Sequence, residues 1–194
     1  IAWGLLLFLA FVWGLSFILV KKITTHFSAL EIGAGRIFIA SLALSPWVLL
    51  NLKNFPKKES PVILLSGLLG YLVPGIIFGL AGSKLNSSLS GTLNATTPLF
   101  VLIVGALVFK RRIENTQIIG IVFGFIGSLI LIFSGGEKSL DFNNPYAFLV
   151  ILATLMYGFN GNIIAKYLAH LKPIIISAFS LLFVGIIAFF ALLG

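Results

Sequence analysis

Arg36 stands inside the run Ala29 to Leu50, whose other polar members are Glu31 at its start and two serines. A guanidinium keeps its charge at any physiological pH and offers five N–H donors in a planar fork, the geometry that grips a carboxylate. Ser16, Asn94, Tyr157, Asn160 and Asn162 are polar groups placed within other apolar stretches, and Trp13 and Tyr71 are aromatic ones. Hydroxyls and amides can hydrogen-bond a solute, and rings can stack on a flat one. Such a set suits binding of a small anion or zwitterion; it does not suit bond cleavage. There is no cysteine, and His26 and His170 alone cannot complete a zinc site. The five acids, Glu31, Glu59, Glu114, Glu137 and Asp141, all fall in loops or at the ends of apolar runs, which leaves a proton relay through buried carboxylates without support. No His-Glu-x-x-His motif, paired aspartates or phosphate-binding glycine loop occurs. No catalytic residue, metal ligand or cofactor is therefore expected.

Each of these residues has a structural reading beside the functional one. Arg36 lies about eight residues into its run, some 12 Å by helical rise, where an arginine in lipid costs about 2.5–3.5 kcal/mol. It either lines a wet cavity, or snorkels to the headgroups or pairs with Glu31. The amides and Ser16 either line the same cavity or bridge helices. Pro74 with Gly75, and Pro98 after Asn94, Ala95, Thr96 and Thr97, interrupt two runs. Proline frees a carbonyl four residues earlier, which either lines a cavity or is satisfied by a neighbouring hydroxyl. Gly75 with Gly79, and Gly120 with Gly124 and Gly127, read as close helix contacts.

The elements that must position these groups are apolar segments separated by short charged loops. Seven are long enough to cross a hydrocarbon layer about 30 Å thick: Trp3 to Val20, Ala29 to Leu50, Pro61 to Ala81, Ser88 to Phe109, Gln117 to Ser134, Pro145 to Tyr167 and Pro173 to Gly194. The composition, 59% hydrophobic and 9% charged, excludes both disorder and an ordinary soluble enzyme domain. The fold class is therefore all-α, a polytopic membrane helix bundle. A net charge of +8 would suggest nucleic acid in a soluble protein. Here the basic residues sit at span ends, facing lipid headgroups, and no nucleic-acid partner is expected.

Loop charges orient the bundle. With the amino end cytoplasmic, inside loops carry Lys53, Lys57, Lys58, Lys110, Arg111, Arg112, Lys166 and Lys172, and outside loops carry Lys21, Lys22, Lys84 and Lys138. Eight against four favours that orientation. The chain opens at Ile1 and stops at Gly194, each within an apolar run, so it is expected to be part of a longer protein. The first run reads as a span and not a signal peptide, because Lys21 and Lys22 follow it.

At an offset of 144 residues the first and sixth segments partly match: Trp13, Gly14 and Ser16 align with Tyr157, Gly158 and Asn160, Lys22 with Lys166, and His26 with His170. An offset of five spans makes the second copy enter from the opposite face, an inverted repeat of the kind found in alternating-access carriers. Trp13-Gly14-Leu15-Ser16-Phe17, Arg36-Ile37-Phe38, Pro98-Leu99 and Gln117-Ile118-Ile119-Gly120, in that order, resemble the EamA type of the drug/metabolite transporter superfamily. One departure is the family's Glu-Arg pair at the cytoplasmic end of the fourth span, which reads Arg111-Arg112 here, with Glu114 nearby.

The resemblance implies a ten-helix inverted-repeat fold, with residues 1–134 as a first five-helix repeat and 135–194 as the start of a second, truncated one. It implies a secondary transporter, in a prokaryotic plasma (inner) membrane, that moves a small amino acid-like or other carboxylate-bearing metabolite by alternating access. Trp13, Ser16, Arg36, Tyr71, Asn94, Tyr157 and Asn160 are the substrate-binding candidates. Expected partners are the lipid bilayer, the small-molecule substrate and a second copy of the chain in a homodimer. The competing classes are an intramembrane enzyme, which would need facing nucleophile and base or metal ligands, and a non-transporting membrane scaffold.

Overall fold

The computed structural model describes residues 2–134 and 144–194, and every regular element there is helical. Lys138, Glu137, Asp141 and the expected boundary at residue 135 lie outside the described residues. The chain runs through α1 (Ala2–Ile23), α2 (Ala29–Leu50), α3 (Ser60–Gly67), α4 (Val73–Lys84), α5 (Ser87–Asn94), α6 (Thr97–Leu107), α7 (Asn115–Ser134), α8 (Pro145–Ile163) and α9 (Pro173–Leu193). A π turn at Leu68–Leu72 joins α3 to α4, and a second at Ile164–Leu168 extends α8. Six of the resulting rods are long and apolar enough to cross a bilayer: α1, α2, Ser60–Lys84, Ser87–Leu107, Pro145–Leu168 and α9. With α7 added, the protein is an integral membrane helix bundle, as the hydropathy pattern requires.

Its core lies where small residues let backbones touch. A Cβ on Gly33 would come 2.6 Å from the Ile76 Cα, and one on Gly67 would come 2.9 Å from the Ser180 carbonyl oxygen. Gly79 abuts the Ala29 carbonyl and Gly185 abuts Ser41. Because lipid tails are as apolar as leucine, such contact and buried polar bridges hold membrane helices together. Ser180 Oγ, wholly buried on α9, donates to the Ile63 carbonyl of α3 at 3.0 Å. The glycines expected to give close contact on α7 do otherwise: a Cβ on Gly120, Gly124 or Gly127 would meet nothing within 4 Å. That helix flanks the bundle at its edge, as α1 does, where only Val20 is buried.

Two contacts show which ends share a side of the membrane. Lys21 Nζ, near the end of α1, donates to the Leu85 carbonyl between α4 and α5 at 2.9 Å, and Leu85 packs in one cluster with Ala147 and Val150 near the start of α8. At the other side, His170 Nε2 lies 3.4 Å from Glu59 Oε1, joining the α8–α9 and α2–α3 loops. Hence α1 ends where α8 begins, and the first and sixth spans run in opposite directions.

Candidate functional site

The prolines act locally in three ways. Within α2, Pro46 frees the Leu42 carbonyl, and Ser45 Oγ donates to it at 2.8 Å. In the fourth span, Pro98 frees the Asn94 carbonyl and divides the rod into α5 and α6; Thr97 Oγ1 donates to that carbonyl at 2.7 Å. The satisfied-kink reading of Pro98 is therefore what the structure shows. Pro74 instead sits in the first turn of α4. The carbonyl beyond its reach belongs to Gly70, inside the π turn, so the backbone widens there. Asn160 of α8 fills the space beside Gly70, where a Cβ would collide with its Nδ2. The Asn160 Oδ1 is buried with no hydrogen-bond partner among the described residues.

Arg36 is solvent- or lipid-accessible on the flank of α2, and its Nη2 donates to Ser16 Oγ of α1 at 3.2 Å. The pairing with Glu31 does not occur. Ser28 and Glu31 form a capping box instead: Glu31 Oε2 accepts from the Ser28 N–H at 2.7 Å and Ser28 Oγ from the Glu31 N–H at 3.2 Å. The Ser-x-x-Glu spacing ahead of an apolar run carried that signal. A groove of about 310 Å³ opens between α1 and α2, lined by Val12, Leu15, Ser16, Leu19, Ile23 and Arg36. Among the described residues Arg36 supplies the only charge on its wall.

Behind the arginine, aromatic rings form a ladder. Phe17 meets Phe78 edge-on with centroids 5.7 Å apart, and Phe78 stacks on Tyr157 at 6.3 Å. Tyr157 of α8 packs with Phe17 of α1 against Phe78 of α4, and Asn160, one turn on, meets Gly70 beside Tyr71, so α1, the π turn, α4 and α8 converge on one region. By helical rise from the Lys84 side, Ser16 and Arg36 lie about 11 Å deep, Tyr157 about 18 Å and Asn160 about 22 Å. Ser16, Arg36 and Tyr157 fall in the middle third of a layer about 30 Å thick, and Asn160 lies just beyond it. Thr154, wholly buried, faces Thr96 at the α5–α6 break with 3.2 Å between hydroxyls. Asn94 is half-buried at the end of α5. Trp13 is 63% exposed on the outer flank of α1. The structure thus brings Ser16, Arg36, Tyr71, Tyr157 and Asn160 toward one mid-membrane region and leaves Trp13 apart. Phe17, Phe78 and Gly70 belong to the same region, although nothing in an apolar run singles out such residues.

Asn162 has a different part. Wholly buried, it donates from Nδ2 to the Val101 and Gly158 carbonyls, both at 2.8 Å, and accepts from Arg111 Nη1 at 3.3 Å. Every polar atom of its amide is used, so it bridges α6 and α8 and holds Arg111. His26 and His170 stand on opposite sides of the layer, and among the described residues no three His, Cys, Asp or Glu side chains gather as metal ligands would.

The model of the EamA-like transporter family matches residues 1–133. A protein of Archaeoglobus fulgidus described as an uncharacterized transporter is 24% identical over 160 residues, 80% of this chain and 55% of that protein. The S-adenosylmethionine uptake transporter of Rickettsia prowazekii is 27% identical over 139 residues, 69% of this chain and 44% of its own. A probable amino-acid metabolite efflux pump of Salmonella typhimurium is 27% identical over 177 residues, 87% and 54% respectively. The chain spans about half the length of the curated relatives it matches. No solved structure is significantly similar to it. With its apolar rods, its polar groups at mid-depth and a family match over more than half its length, the chain belongs to the EamA-like transporter family.

Proposed function

We propose that this chain is part of a secondary transporter that carries a small carboxylate-bearing or zwitterionic metabolite by alternating access. The observation that supports the reading best is Arg36: a permanent cation at mid-depth, held by a neutral hydroxyl at 3.2 Å, with no carboxylate beside it among the described residues. Such a cation is costly in lipid, and an anionic solute would offset that cost. Two relatives are named for S-adenosylmethionine and for amino-acid metabolites; these compounds share a carboxylate next to an ammonium group. In this reading Arg36 neutralises the carboxylate, Ser16 orients the guanidinium, and Tyr157, Asn160, Tyr71 and Asn94 supply hydrogen bonds. Trp13 takes part only if the first span rotates. The opposed directions of α1 and α8 support an inverted pair of repeats, 1–134 and 135–194, whose rocking exposes the region alternately. Loop charge supports a cytoplasmic amino end in a prokaryotic plasma membrane.

The test is counterflow of labelled amino acids and S-adenosylmethionine into proteoliposomes carrying the protein. Arg36→Gln should lower uptake of the carried compound by at least about tenfold, the worth of a charge-assisted hydrogen bond, with insertion unchanged. Unaltered uptake in that variant would remove Arg36 from the mechanism.

A further inference from the structure

A second groove, away from Arg36, runs between α6 and α7. It holds about 300 Å³ and its walls are wholly apolar, from Leu99 deep in the layer through Leu102 and Ala106 to Leu107 and Ile113 at its mouth, with Ile118 and Val122 opposite. From Leu99 to Leu107 is about 12 Å by helical rise, close to the depth of one leaflet in a layer about 30 Å thick. Between Leu107 and Ile113, both on the groove wall, the chain carries Lys110, Arg111 and Arg112, all exposed. Arg111 is committed to Asn162, and Lys166 rests over the Phe109 ring, 5.5 Å from its centroid. Lys110 and Arg112 have no hydrogen bond or ion pair among the described residues. Lys110 also takes a left-handed backbone, φ 53°, a conformation that glycine or asparagine usually supplies at a helix end.

From an apolar slot one leaflet deep with two free cations at its rim, we infer a binding site for one anionic phospholipid. An acyl chain lies against Leu102, Ala106 and Ile118, and the phosphate meets Lys110 and Arg112. Charge decides the occupant: a neutral lipid or a helix would fill the slot and leave both cations unmatched, whereas an anionic headgroup matches them. The site stands independently of the transport reading.

Because the chain has no cysteine, a single Val108→Cys variant can carry a fluorophore beside the groove, with Phe190→Cys as a distant control. Quenching by brominated phosphatidylglycerol and brominated phosphatidylcholine is compared in mixed vesicles. At position 108 the anionic lipid should be preferred roughly tenfold, from somewhat less than fivefold per basic group; at 190 no preference is expected. Lys110→Gln with Arg112→Gln should abolish the preference. Ala106→Phe, which fills the slot without changing charge, should reduce it equally. Equal quenching by both lipids, no quenching by either because protein covers the face, or a preference that survives Ala106→Phe as diffuse surface attraction would each overturn the site.

Discussion

Gly70 and Asn160 share one space: the amide of Asn160 occupies the position that a side chain on residue 70 would need. The π turn around Gly70 and the buried, unpartnered Oδ1 of Asn160 therefore depend on each other. Gly70→Ala should displace the amide and cost about 1–3 kcal/mol as overpacking. Asn160→Ala should relieve most of that cost, so the double variant is expected to be distinctly non-additive. Thermal unfolding of the four proteins in one detergent checks the cycle; simple additivity would contradict the shared space. Uptake should fall in all three variants, because each removes or displaces the amide at the candidate site.

Glycines within the helices should differ in sensitivity according to what their missing side chains would meet. Gly33→Ala drives a methyl into the Ile76 backbone, which cannot move aside, and should destabilise by about 1–3 kcal/mol. Gly120→Ala points into open space and should be neutral or stabilising by up to about 1 kcal/mol through helix propensity. A melting-temperature comparison that ranks them in the reverse order would place the α2–α4 contact elsewhere.

Asn162→Ala removes a fully satisfied buried amide and should cost about 2 kcal/mol, counting lost bridges and the void. Arg111→Gln should cost under about 1 kcal/mol, since its guanidinium also reaches water. Equal losses would indicate that the arginine, and not the amide, holds α6 to α8.

Lys110→Gly should raise stability by about 1 kcal/mol by relieving the left-handed backbone. The same change removes one cation from the groove mouth, so it should weaken selection of anionic lipid while the melting temperature rises. A fall in both would show that the lysine side chain supports the turn itself.

Ser16→Ala leaves Arg36 charged but unoriented, and uptake should fall by about fivefold, less than for Arg36→Gln, in keeping with a neutral partner. Trp13→Leu should change stability by less than about 0.5 kcal/mol, because the ring is largely exposed on the outer flank of α1. Initial rates and melting curves on the same preparations test both.

The amino-acid sequence alone determined the apolar spans and the misfit of Arg36 in one of them. These follow from local rules: a bilayer demands some twenty apolar residues for each crossing and penalises each buried charge. The Ser28–Glu31 cap was equally readable, being a contact three residues apart. Tertiary structure alone decided which group answers Arg36, because Ser16 is 20 positions distant and lies on another helix. It also decided that Asn162 is a bridge while Asn160 keeps an unsatisfied oxygen, though two positions separate them on α8. Apolarity on every face of a membrane helix erases the periodicity that marks an inward side in soluble proteins, so which face meets a neighbour emerges only when the helices are assembled.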